Sequence, residues 1–269
     1  MAAAIVGQLN NVLVGHFEGG EVSGTVDEMI RHSISKLAHL HFVSNDQAKN
    51  RMKQLGEAED KIFVIGSPDV DSIFSNELPS LSEAKKYYDI EFEDYAIAIL
   101  HPVTTDIVNL QSNVDAFFEA LEQSLLNYVL IYPNNDEGTK IILDRISEFK
   151  GNDRFRLIPS MRFEFYLRLL QKAKFIIGNS SSGVREASYY ATPTINVGSR
   201  QNNRTDAKTV LHTNFSSIEI LDAIDVCLNG TWRPERNFGE PGCAQRFEEV
   251  LLSPKCWNTP LQKSFNDLY

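Results

Sequence analysis

The sequence is short of cysteine, of positive charge and of long apolar runs. Its three cysteines, Cys227, Cys243 and Cys256, are odd in number and lack metal-ligand spacing, so neither a disulfide framework nor a zinc cluster is expected. None sits in a motif with a histidine, which leaves no cysteine nucleophile to nominate. No apolar stretch approaches the length that spans a bilayer. The opening Met1-Ala-Ala-Ala-Ile-Val-Gly-Gln-Leu has no basic leader and no polar cleavage region, so no signal peptide is read. These features predict a cytoplasmic protein without a membrane partner. A net charge of −10 argues against an extended nucleic-acid surface, although it permits a local phosphate site. There is no tandem repeat and no low-complexity tract.

What is present is an α/β pattern. At 269 residues with 42% hydrophobic content, the chain can bury a large core in one or two domains. Short apolar runs at 11–14, 40–43, 61–65, 95–100, 128–132, 154–158, 175–177, 194–197 and 209–212 read as strands. Helical spacing occupies 27–36, 46–55, 107–125, 137–149, 163–173, 184–190, 216–228 and 244–252. Such alternation predicts parallel sheets covered on both faces. The stretch 66–94, with Gly66-Ser67-Pro68 and Pro79, marks a boundary. Residues 1–66 then read as the C-terminal part of one domain, with too few strands for a complete sheet. Residues 67–243 hold enough strands for a full doubly wound domain, and 244–269 form a closing helix and tail.

Residues 174–204 are the most informative stretch. A short strand feeds the small-residue turn Gly178-Asn-Ser-Ser-Ser-Gly183 and then a helix. Such a junction presents free backbone N–H groups and a helix dipole to an anion. Ser180, Ser181 and Ser182 can add hydroxyl donors, and Glu186 lies where a carboxylate can meet ribose hydroxyls. Arg200 and Arg204 follow the next strand. A nucleotide-diphosphate pocket fits this pattern, and so does a serine-capped helix in an ordinary α/β core.

A second polar cluster lies near the start. With 12–14 taken as the strand, His16 and Glu18 fall at its carboxyl end, where open α/β sheets bind ligands. The following helix carries Asp27, Glu28 and Arg31. Thr25 and Glu28 have capping-box spacing, and Asp27 suits a first helical turn. Acid–base catalysis by crowded carboxylates is the other reading. His39 and His41 lack a third ligand at conventional spacing, so no metal is assigned. His101 ends a strand and is followed by Pro-Val-Thr-Thr-Asp. It reads either as a phosphate or acid–base contact or as part of a capping loop.

Three segments together resemble the UDP-N-acetylglucosamine 2-epimerase family, in its hydrolysing branch of the sialic/legionaminic acid type. They are the run from His16-Phe-Glu-Gly-Gly-Glu to His39, His101-Pro-Val-Thr-Thr-Asp, and Gly178-Asn-Ser-Ser-Ser-Gly-Val-Arg-Glu. The resemblance implies two Rossmann-like domains facing a cleft, as in GT-B glycosyltransferases, with the N-terminal domain incomplete and UDP mainly on the domain at 67–243. It implies a UDP-sugar substrate, no cofactor and no metal, and a homodimer. Glu18, Asp27 and Glu28 match acidic positions around the sugar, and His101 the histidine near the leaving group. Ser180, Ser181 and Glu186 match nucleotide positions. Arg200 matches a basic position, and His16 and Arg31 join the substrate-binding set. Family members begin with a strand, a Gly-rich turn containing Arg, and a later Asp-Arg pair. This chain starts after both, so a truncated, non-catalytic UDP-sugar-binding protein stands as the alternative, with a GT-B glycosyltransferase behind it.

Overall fold

A computed structural model describes residues 1–23 and 26–266. Gly24 and Thr25, the latter expected to cap the next helix, lie outside the described residues. The chain divides into two compact units, 1–75 with 236–269, and 76–235. This division places 67–75 and 236–243, expected with the second domain, in the first unit. No helix among the described residues is long and apolar enough to cross a membrane.

The first unit runs α1 (Ala2–Leu9), β1 (Gly15–Phe17), α2 (Val26–Leu37), β2 (Leu40–Val43), α3 (Asp46–Gln54), β3 (Ile62–Val64) and α4 (Pro68–Ile73), and is completed by α12 (Cys243–Leu252) and α13 (Pro254–Trp257). Its sheet is parallel in the order β1-β2-β3. Phe17, Phe42 and Phe63 share a register row and stack across it, at 4.9 Å and 5.8 Å between ring centroids. Phe247 of α12 meets Phe42 edge-on at 4.9 Å. This aromatic contact, worth about 1 kcal/mol beyond its buried area, helps draw the C-terminal segment onto the first sheet. Asp71 adds a second tie: its carboxylate accepts from the backbone N–H groups of Gly242, Cys243 and Ala244 at 2.6–3.0 Å, capping α12 from a distant part of the chain.

The strand expected at 11–14 is corrected: β1 begins at Gly15. Asn10 and Asn11, the latter with a left-handed backbone, form the turn out of α1, and Val12 beyond it is exposed. The ladder starts where Val14 accepts hydrogen bonds from His39 and Leu40. His16 therefore lies within the strand and not beyond its end.

The second unit runs α5 (Leu81–Tyr87), β4 (Ala96–Ile99), α6 (Leu110–Gln123), β5 (Tyr128–Ile131), α7 (Thr139–Ser147), β6 (Phe155–Ile158), α8 (Phe163–Lys172), β7 (Ile176–Gly178), α9 (Ser181–Val184), α10 (Glu186–Tyr189), β8 (Thr194–Val197), β9 (Val210–Thr213) and α11 (Ser217–Asn229). The stretch 66–94, expected as a polar boundary, contains α4 and α5. Ser80 and Glu83 form a complete capping box for α5, a signal visible in the sequence.

Every strand pair in this unit is parallel, in the order β6-β5-β4-β7-β8-β9. Strands β4, β7 and β8 are buried along their whole length, as a parallel sheet covered on both faces requires. Leu110, Val114, Phe117, Phe118 and Leu121 of α6 recur at helical spacing and enter the main core with Tyr128, Phe149 and Phe175. Strand order reverses between β4 and β7. The loops leaving those two carboxyl ends therefore border the crevice where doubly wound sheets bind ligands.

Candidate functional site

In the first unit Glu18 lies on the loop after β1, Glu28 reaches that loop from α2, and Asp27 stands on the first turn of the same helix. Glu18 closes β1 with its N–H donating to Phe42 at 2.8 Å, in a left-handed backbone of φ 58°. A non-glycine residue held there is strained by about 1 kcal/mol or more, and such strain concentrates at functional positions. Its carboxylate accepts from the buried Ser67 hydroxyl at 2.6 Å. Gly20, at φ 77°, presses the loop on α3: a Cβ there would lie 2.3 Å from the Ala48 carbonyl. Two residues of α2 clasp the same loop. Glu28 accepts the Ser23 N–H at 2.7 Å, and Arg31 donates to the Glu21 carbonyl at 3.3 Å. Glu28 also lies 3.6 Å from His32. Asp27 is exposed on the first turn of α2. Glu21, which lies in the same acidic run but was given no site role, is buried and accepts from the Ser44 hydroxyl. Its signal was only its place among the other acids.

His16 lies beneath this loop. It is buried, with Nδ1 3.1 Å from the Ser35 hydroxyl. Burial, with help from His41 and Arg31, holds its pKa down at about 4. The unfolded chain therefore binds this proton below about pH 6.5, while the folded chain refuses it until about pH 4. Stability falls as pH falls through that window, by about 1.4 kcal/mol per unit for one such group. We expect His16→Gln, which retains a polar side chain opposite Ser35, to remove about 2 kcal/mol of the stability lost between pH 7 and pH 5. Urea unfolding at the two pH values measures this. An unchanged loss would show that His16 titrates normally in the native protein.

His39 and His41 of this unit are structural. His39 accepts the Val14 N–H on Nδ1 at 3.0 Å. His41 pairs with the buried Glu57 at 2.8 Å. Lys36 and Lys263 converge on the same carboxylate at 2.8 Å and 2.6 Å. Burial alone would raise the Glu57 pKa, but these three hydrogen bonds outweigh it and hold the value near 2.

In the second unit the polar groups form a closed ring over the crevice. His101, just beyond β4, takes the backbone N–H of Asn134 on Nδ1 at 3.1 Å. The Asn134 side-chain oxygen is also 3.1 Å from that nitrogen. A backbone N–H can only donate, so it fixes Nδ1 as the acceptor and leaves the proton on Nε2. The Asn134 amide donates to Asp136 at 2.7 Å, and Asp136 lies 3.9 Å from Arg200. Arg200 donates to the Asn179 carbonyl at 3.3 Å. The Asn179 side chain returns to the backbone of His101 through two bonds, accepting from N at 2.7 Å and donating to O at 2.9 Å. Burial, followed by the Arg200 charge, holds the His101 pKa at about 4. At neutral pH it is thus an uncharged N–H donor.

The serine turn follows Asn179. Ser180 caps α9, its hydroxyl accepting from the Ser182 N–H at 3.4 Å, and Ser181 is the first helical residue. The helix expected over 184–190 starts earlier and is interrupted at Arg185, whose ψ of −73° lies beyond the helical value. Glu186 opens the second segment and is buried. The Tyr166 hydroxyl reaches Ser182 at 2.5 Å. Its pKa is raised, first by burial and then by the Glu186 charge. Gly183 packs against Thr194, where a Cβ would lie 2.6 Å from the threonine methyl. The structure thus joins His101, Arg200 and the serine turn through Asn179. Asn134, Asp136, Asn179 and Gln201, which donates to Asn179 at 2.9 Å, were not expected: their partners are remote in sequence.

Comparison with known proteins adds an independent line. The pattern of the UDP-N-acetylglucosamine 2-epimerases matches residues 1–252. A UDP-N-acetylglucosamine 2-epimerase of Neisseria meningitidis serogroup B is 47% identical over 272 residues, spanning 100% of this chain and 72% of that protein. A hydrolysing UDP-N,N'-diacetylbacillosamine 2-epimerase of Legionella pneumophila is 33% identical over 253 residues, spanning 93% of this chain and 67% of its own length. The crystal structure of a Neisseria meningitidis UDP-GlcNAc 2-epimerase bound to UDP-GlcNAc superposes with a TM-score of 0.77 at 17% identity, covering 93% of this chain and 72% of that one. Its low identity makes it a likeness of fold.

Proposed function

The chain belongs to the UDP-N-acetylglucosamine 2-epimerase family, and from that premise we propose that it is a hydrolysing 2-epimerase acting on UDP-N-acetylglucosamine or a 4-acetamido relative. Its products are UDP and a free N-acetylmannosamine-type sugar. The observation that most supports this reading is the organisation of the residues that match the family's functional positions. Glu18, Glu28 and Arg31 are tied to one loop, with Asp27 exposed on the adjoining helix turn. His101 and Arg200 are tied to one ring beside the serine turn.

The chemistry assigned to these groups is as follows. A carboxylate from the set Glu18, Asp27 and Glu28 removes the proton at sugar C2. The C1–O bond breaks as UDP departs with the electron pair, leaving a C1–C2 double bond. Water then adds its oxygen to C1, and C2 is protonated from the opposite face. The base must stand within hydrogen-bond reach of the C2 proton. The departing diphosphate needs donors and positive charge already in place. The Nε2–H of His101, the Arg200 guanidinium and Ser180 and Ser181 supply these, and Glu186 receives the ribose hydroxyls. The neutral His101 suits this role across the physiological pH range, because it donates without titrating.

The test is incubation of the full chain with UDP-N-acetylglucosamine in deuterium oxide. Release of UDP together with free sugar carrying one deuterium at C2 is the expected result. UDP binding without release would identify a non-catalytic UDP-sugar-binding protein. Release without deuterium at C2 would defeat the elimination route and point to simple hydrolysis or glycosyl transfer.

A further inference from the structure

We propose that Asn179 is a positioning residue: its side-chain amide clamps the peptide of His101 while its own carbonyl holds Arg200, so that one residue sets both groups assigned to the diphosphate. The proposal deepens the functional reading above and rests on it for the identity of the ligand. The clamp itself rests on geometry alone.

Asn179 is fully buried at the carboxyl end of β7. Its amide pairs with residue 101 as a neighbouring strand would, accepting one bond and donating the other. Gly178 makes this reach possible. At φ 131° its missing Cβ lets β7 close on β4, where a side chain would lie 1.9 Å from the Ile99 carbonyl. The pairing therefore extends the β4–β7 contact past the last ladder position, at Ile99 and Gly178. Beyond that point the backbone of His101 has no strand neighbour to fix it, and the Asn179 amide takes that place. On the other side of Asn179, Arg200 and Gln201 both donate to its carbonyl. Arg204 in turn donates to Gln201 at 2.8 Å. The chemistry of the residue matters as much as its shape. A side-chain amide carries an acceptor for the N–H and a donor for the C=O on two separate atoms of one planar group. Aspartate keeps the first bond but turns the second into a contact between two acceptors.

The test uses the full chain and two readouts. One is the titration of the His101 imidazole by NMR, which needs no ligand. The charged groups acting on that ring are Arg200 and Asp136. The other is UDP affinity by calorimetry, measured in wild type, Asn179→Ala, His101→Ala and the double variant. With the clamp removed, the His101 midpoint is expected to rise from about 4 towards its ordinary value, and UDP affinity to fall about tenfold, the scale of a lost hydrogen bond to a charged group. In the His101→Ala background the same change is expected to cost about twofold or less, because the two residues act as one unit. Should Asn179→Ala fail to fold, Asn179→Leu provides an uncharged substitute of similar size that removes both bonds, and the NMR readout still applies. A folded variant with an unmoved His101 titration overturns the clamp. So does an affinity loss that is the same with and without the imidazole. A wild-type chain that does not bind UDP defeats the functional reading, while the titration continues to judge the clamp.

Discussion

Asp27→Asn and Glu28→Gln are each expected to lower kcat by about a hundredfold or more, the usual contribution of a positioned acid or base, while UDP affinity stays within about twofold. A hundredfold corresponds to about 2.7 kcal/mol of transition-state stabilisation. The substitutions separate chemistry from architecture. Glu28 anchors the loop by accepting the Ser23 N–H, and a glutamine oxygen accepts the same bond, so the fold around Glu18 and Arg31 is preserved while the charge is lost. Asp27 is exposed, and asparagine retains its size. The measurement is steady-state turnover of UDP-N-acetylglucosamine beside calorimetry with UDP. A variant that keeps near wild-type kcat would reduce its carboxylate to a loop anchor or a favourable first-turn charge.

Gly178→Ala is expected to destabilise the second unit by more than about 4 kcal/mol, in the range reserved for strain and overpacking at a fixed backbone. Two effects combine. A φ of 131° is one that L side chains rarely adopt, and the new Cβ would stand 1.9 Å from the Ile99 carbonyl, a backbone atom that cannot move aside. Gly151 provides the control. It too has a positive φ, 81°, but no atom lies within 4 Å of its missing Cβ. Gly151→Ala should cost only the conformational strain, about 1 kcal/mol. Thermal unfolding of both variants decides between steric and conformational origins. A Gly178→Ala protein that melts within a few degrees of wild type would mean that β7 can withdraw from β4 without loss.

Much of this architecture was legible in order along the chain. The stripe Leu110, Val114, Phe117, Phe118 and Leu121 announces a helix with one buried face, since those positions return at the helical period. Short, wholly apolar runs such as 96–99 announce strands of a parallel sheet. Errors arose where pairing overrode local pattern. Val12–Val14 is apolar enough to be a strand, yet the register with Leu40–Val43 begins at Gly15. That displacement moves His16 from the mouth of the sheet to its interior. The capping box at Ser80 and Glu83 is readable in the sequence and lies inside the boundary stretch in which the two units divide.

The sequence by itself determined the fold class, the family and the residue types of the candidate site, because periodicity, strand–helix alternation and short motifs are carried by neighbours in the chain. Tertiary structure alone decided which of those residues meet. Asp71 caps a helix 171 or more positions away, Lys263 reaches Glu57 across more than two hundred, and Asn179 grips His101 across 78. Such contacts have no local signature. A backbone N–H left over at a strand or helix end must find a partner, but the chain order does not state which side chain the fold will bring to it.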